Sequence, residues 1–114
     1  MTYLPEQGDA VWLDFTPQAG QEQAGRRPAL VLSAAAYNGR AGLAVVCPFI
    51  SQIKGYPFEV LLPSGLPIYG VVLSDQVRSL DWRIRQAEFI TRVPDHVIAE
   101  VVAKLATLVG FRST

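Results

Sequence analysis

The sequence predicts a small, mainly β barrel with a single helix at its C-terminal end, and three observations carry that expectation. Short apolar runs recur at close spacing, turn signals rich in Gly and Pro separate them, and only residues 94–110 show a helical stripe. At 114 residues and 50% apolar, the chain fits one compact domain over residues 1–114 with a core of its own.

Residues 10–15 alternate Val11, Leu13 and Phe15 against Trp12 and Asp14, the period of a half-buried strand. Trp12 and Phe15 therefore face opposite sides, so one sheet face buries at most one of them. Residues 29–33 and 43–48 are short apolar runs bounded by Pro and Gly, and read as two more strands. Phe58 to Leu62, Ile68 to Leu73 and Gln86 to Arg92 repeat the pattern, with Pro63-Ser64-Gly65 as a turn. Pro94 and Asp95 suit a helix start. Val97, Ile98, Val101, Val102, Leu105, Leu108 and Val109 then form one stripe, ended by Gly110, that covers the sheet or a partner subunit.

Composition narrows the function classes. No charged leader and no apolar run of membrane-spanning length is present, so the cytoplasm is the expected location and no membrane partner is implied. The lone Cys47, inside Leu43-Ala44-Val45-Val46-Cys47, reads as a core thiol. Ten Lys and Arg balance ten Asp and Glu, which argues against a generic nucleic-acid binder. The charges are nonetheless segregated: residues 1–22 carry four acids and no base, and residues 23–58 carry Arg26, Arg27, Arg40 and Lys54 and no acid. A second basic group, Arg78, Arg83, Arg85 and Arg92, can meet the first to make a local positive groove; a solvated basic face is the other reading.

The densest chemistry lies in Glu22-Gln23-Ala24-Gly25-Arg26-Arg27-Pro28, a polar turn leading into the run Ala29 to Leu32. Guanidinium forks match phosphate oxygens, and a neighbouring carboxylate can move a proton. An exposed turn with an ordinary ion pair is the alternative reading of these residues. His96 alone cannot supply an imidazole pair, and it sits at the expected helix start as a surface residue. The scattered acids offer no metal-ligand spacing, so neither metal nor other cofactor is expected.

Four motifs in order, Gly8 to Phe15, Glu22 to Pro28, Lys54-Gly55-Tyr56-Pro57-Phe58-Glu59-Val60 and Asp75-Gln76-Val77-Arg78-Ser79, resemble the MazF/PemK family of bacterial toxins. The similarity runs from about Gly8 to Gly110. It implies an SH3-like barrel with a C-terminal helix, the MazF/CcdB-like toxin fold. It also implies a sequence-specific endoribonuclease that cleaves single-stranded RNA (mRNA) without metal, works as a homodimer and is silenced by a cognate MazE-like antitoxin.

Carried onto this chain, the resemblance makes Arg27 the principal catalytic residue. Because arginine stays protonated, its role is to stabilise phosphate charge. Glu22 is the candidate base, with Arg26 and Lys54 holding the strand. The family's second catalytic residue, a threonine two positions before a glutamine, falls on Ile50 in Phe49-Ile50-Ser51-Gln52. Isoleucine cannot hydrogen-bond a phosphate, so either Ser51, one residue on, is the candidate hydroxyl or activity rests on Arg27 and its neighbours. Phe15, Tyr56, Gln76 and Arg85 complete the expected RNA contacts, through stacking on aromatic rings and hydrogen bonds to base edges. Trp82, between Asp81 and Arg83, is expected at the surface. A catalytically degenerate module that binds antitoxin or RNA without cutting is the alternative function. A gyrase poison on the related fold ranks last, because the chain ends Gly110-Phe111-Arg112-Ser113-Thr114 without the required tryptophan.

Overall fold

A computed structural model describes residues 3–15 and 25–111. The elements follow in the order β1 (Asp9–Asp14), β2 (Arg26–Val31), α1 (Ala35–Ala41), β3 (Leu43–Ile50), β4 (Glu59–Leu61), β5 (Val71–Leu73), β6 (Arg78–Asp81), β7 (Glu88–Arg92) and α2 (Asp95–Leu108). The seven strands form one antiparallel sheet in the order β4-β5-β3-β2-β1-β7, with β6 also on β3. Mainly β with a C-terminal helix is thus the observed class, although the sheet curls without closing.

The curl originates in β3, which changes partner along its length. One edge pairs with β2, Leu30 opposite Cys47. The other edge pairs Leu43 to Val46 with β6, then passes to β5 with Phe49 opposite Val72 and Ile50 opposite Val71. A strand that serves two neighbours in succession bends the sheet. Apolar clusters fill both faces. Leu30, Cys47, Phe49, Val60 and Val72 pack with Val97 and Val101 of α2, while Val11, Leu13, Phe15, Val31 and Leu80 form the second cluster. Cys47 is fully buried, and burial together with the Asp75 charge pushes its thiol up to about 12, a core residue as expected. Among the described residues no helix is long and apolar enough to cross a membrane.

Two readings of the sequence need correction. The C-terminal stretch was the one helix expected, yet α1 forms a second at Ala35–Ala41. It forms because Asn38 is fully buried and satisfied from all sides. Its amide donates to the carbonyls of Pro5 (2.9 Å) and Ser33 (3.1 Å), and its side-chain oxygen accepts from the Ser33 hydroxyl (2.5 Å). Trp82 is 4% exposed rather than on the surface, its indole N–H donating to the Asn38 carbonyl at 2.9 Å and the Arg83 guanidinium lying over its ring. The α2 stripe meets the sheet in part: Val97 and Val101 are buried, Ile98 and Leu105 half-buried, and Val102, Leu108 and Val109 exposed.

Candidate functional site

A cleft at the far end of β3, beside the start of β2 and the residues that lead into β5, gathers several of the expected site residues. A cavity of about 460 Å³ there is lined by Arg27, Ser51, Gln52, Lys54, Ile68 and Tyr69, among others. A second cavity of about 360 Å³ adjoins it, sharing Ile50 and Lys54, and is lined further by Tyr56, Glu59, Asp75 and Gln76. Arg27, Ser51 and Lys54, expected to act together from widely separated stretches, therefore meet in one place. Tyr56 and Gln76 stand in the neighbouring bay.

Each side chain is placed by local structure. Arg27 lies near the start of β2, opposite Leu13 of β1, so a paired strand fixes its backbone. Ser51 follows directly on β3, and a close backbone approach holds it. Gly70, at φ 119°, lies so near that a Cβ there would fall 2.0 Å from the Ile50 carbonyl oxygen and 2.8 Å from the Ser51 Cα. Only glycine fits that position. The loop carrying Lys54 is closed by Glu59, whose carboxylate accepts the backbone N–H of Lys54 (3.2 Å) and of Gly55 (2.9 Å). Gly55 at φ 80° makes that turn. The Lys54 ammonium then lies 5.8 Å from the centre of the Tyr56 ring.

The electrostatics favour an anion. The Arg27 side chain has no hydrogen bond or ion pair among the described residues, and none of the described residues that line the larger cavity is a carboxylate. Two cations and a hydroxyl facing an open cavity form a donor set for phosphate oxygens. Among the described residues no three His, Cys, Asp or Glu side chains gather in a way that could hold a metal ion.

Other expected contacts lie elsewhere. Glu22 is outside the described residues. Arg26 turns away from Arg27, as neighbours on a strand do. Its guanidinium donates to the Gln86 carbonyl at 2.7 Å and pairs with Glu88 at 3.3 Å. Arg85 donates to the Asp14 carbonyl at 3.0 Å, and the Asp14 N–H returns a bond to its backbone oxygen at 2.9 Å. Both arginines clasp the turn before β7 to the β1–β2 end of the sheet and line neither cavity. Phe15 is 2% exposed, with the Arg78 guanidinium 5.5 Å from its ring centre. A ring so enclosed has no face for a base, so Phe15 belongs to the core and not to the RNA contacts. His96 is exposed at the first turn of α2, as expected.

Sequence reasoning missed Tyr69 and Gln52 in the larger cavity, and the pinning role of Glu59. Tyr69 was absorbed into the apolar run Ile68 to Leu73, and its one signal was the Gly that follows it.

Comparison with known proteins bears on this arrangement. Residues 6–109 match the family described as PemK-like, MazF-like toxin of type II toxin-antitoxin system. The chain is 46% identical over 108 residues to the endoribonuclease toxin MazF of Escherichia coli K12, covering 95% of this chain and 96% of that protein. It is 36% identical over 107 residues to the endoribonuclease PemK of Escherichia coli, covering 90% and 80%. The crystal structure of MazF from Deinococcus radiodurans superposes with a TM-score of 0.90 at 60% identity, covering 96% of this chain and all of that one. MazF in a MazE–MazF crystal structure from the same organism gives 0.91 at 59% identity, with 97% and full coverage.

Proposed function

We propose, from the premise that this chain belongs to the PemK-like, MazF-like toxin family of type II toxin-antitoxin systems, that it is a metal-independent endoribonuclease cutting single-stranded mRNA at a short sequence. The observation that carries this reading is the convergence of Arg27, Ser51 and Lys54 on one cavity. The RNA supplies its own nucleophile. Glu22 removes the proton of a 2′-hydroxyl, whose oxygen attacks the adjacent phosphorus as the bond to the 5′-oxygen breaks. The products are a 2′,3′-cyclic phosphate and, after the departing oxygen takes a proton from water, a 5′-hydroxyl.

Charge on the pentacoordinate phosphorus is largest at the transition state. Arg27 meets it with a guanidinium that no protein group among the described residues engages, and Ser51 adds a hydroxyl donor. Lys54 holds the neighbouring phosphate, and Tyr56 and Gln76 receive a base in the adjoining bay. The protein works in the cytoplasm, as a homodimer to which the exposed Val102, Leu108 and Val109 of α2 offer apolar area. A cognate antitoxin silences it, in line with the MazE–MazF complexes of the Deinococcus radiodurans relative. The test is incubation of the purified protein with a long single-stranded RNA in EDTA, followed by mapping of cut sites and end groups. Discrete cuts with cyclic-phosphate ends that vanish in Arg27→Ala support the reading.

One observation favours a second reading, a module that binds RNA or antitoxin without cutting. Ile50 occupies the place of the family threonine and lines both cavities with hydrocarbon. RNA bound yet left intact by the folded wild-type protein would establish it.

A further inference from the structure

Beyond the two bays already described lies a third, of about 340 Å³, joined to the Arg27 cavity through a shared wall of Ile68 and Tyr69. Among the described residues its lining, Leu62, Pro63, Ser64, Gly65 and Leu66 with that wall, carries no charge. Tyr69 is 71% exposed although it lies directly beside the buried Gly70. We propose that Tyr69 is a base-stacking residue of this chain, receiving on its ring the nucleotide next to the phosphate held at Arg27 and directing that base into the uncharged third bay. The inference rests on the ribonuclease reading for its substrate class, single-stranded RNA.

Three features carry it. First, a ring between a cationic cavity and a neutral one matches the alternation of a nucleotide, whose phosphate needs donors and whose base needs a flat apolar surface. Second, the ring's backbone is held still. Ile50 pairs with Val71 at the start of β5, and the approach of Gly70 to Ser51 permits no side chain between them. Tyr69 is therefore fixed against the same stretch of backbone that presents Ser51, and a platform held in this way orders a base with little conformational cost. Third, Tyr69 has no hydrogen bond, ring or cation partner among the described residues. Tyr56, 60% exposed, already has the Lys54 ammonium near its ring. The two tyrosines thus line different bays, each of which shares part of its wall with the Arg27 cavity.

The experiment compares wild type, Tyr69→Ala and Tyr69→Phe in two arms: cleavage of a randomised single-stranded RNA pool in EDTA, and anisotropy binding of an uncleavable 2′-O-methyl oligonucleotide of the preferred sequence, or of pooled sequence if nothing is cut. Because Tyr69 is a surface residue, both variants should keep the wild-type melting temperature, which is measured alongside. The expected result is a KM and Kd raised about tenfold in Tyr69→Ala, with kcat nearly unchanged and base preference relaxed at one position beside the cut. Tyr69→Phe should keep wild-type values, since stacking needs the ring and not the hydroxyl. Tyr69→Ala matching wild type in Kd and base preference, or Tyr69→Phe failing as Tyr69→Ala does, overturns the proposal while leaving the nuclease reading intact. Intact RNA with the Tyr69→Ala loss still present in the binding arm overturns only the nuclease reading, and absence of any RNA binding by wild type overturns both.

Discussion

Arg27 and Arg26 are adjacent and chemically identical, yet the fold gives them different work. Arg26 is held by the Gln86 carbonyl and Glu88, while Arg27 faces the cavity without a partner among the described residues. Arg27→Ala should therefore lower kcat about a hundredfold or more, the usual cost of losing one donor to a developing oxyanion, and leave the urea midpoint unchanged. Arg26→Ala should do the reverse, costing stability of up to about 1 kcal/mol and little activity. Equal losses of activity in both would refute this division. Ser51→Ala tests the hydroxyl separately, and a rate within twofold of wild type would remove Ser51 from the mechanism. Cys47 makes a prediction about alkaline pH. Its thiol, pushed by burial from the ordinary 9.0 to about 12, stays protonated in the fold after the unfolded chain has released its proton. Between those values the unfolded state binds fewer protons, so stability is full below about pH 9 and falls by about 1.4 kcal/mol per pH unit for this group. Tyr3, raised by burial and by its hydrogen bond to Asp9, steepens the decline further. Urea midpoints at pH 8, 9 and 10 should fall more slowly in Cys47→Ala than in wild type.

The elements divide into those the sequence shows and those that exist only through tertiary contacts. The strand at Asp9–Asp14 was legible because Val11, Leu13 and Phe15 alternate, and α2 because a long stripe dominates local preference. Helix α1 was hidden by Asn38-Gly39, whose local preference is for a turn and whose stabilising partners, Pro5 and Trp82, are distant in sequence. Asn38→Ala should remove two amide donors and one acceptor from a fully buried spot and cost about 2 to 3 kcal/mol, read as a lower urea midpoint. A change below about 0.5 kcal/mol would mean that α1 stands on its own propensity. At the site, Arg27 and Lys54 were legible because their motifs carry charge. Tyr69 and Gly70 were not, because nothing local tells a strand entry from a cavity wall. Gly70→Ala forces a Cβ into the Ile50 carbonyl, so it should cost roughly 3 kcal/mol and cleavage activity together by displacing Ser51. Retained activity with normal stability would show that the Ser51 backbone can shift freely.

For the whole molecule the question is how a chain of zero formal charge holds a polyanion. Most of its cations are spent on the fold. Arg26, Arg85, Arg92 and Lys104 donate hydrogen bonds to protein oxygens, and Arg78 and Arg83 lie over the rings of Phe15 and Trp82. Arg27 and Lys54 are the pair left facing a common cavity. A binding site built on this pair predicts weak long-range attraction to RNA and an affinity set by short-range contacts within the groove. Each phosphate neutralised on a single strand contributes about −0.7 to the slope of log Kobs against log salt, so two cations in one cavity give about −1.4 and two cavities of a homodimer on one strand about −2.8. Titration of an uncleavable single-stranded RNA across salt concentrations should return one of these shallow values, and Lys54→Ala should reduce it by one phosphate per cavity. A slope steeper than about −5 would mean that the whole basic surface, and not this groove, binds the RNA.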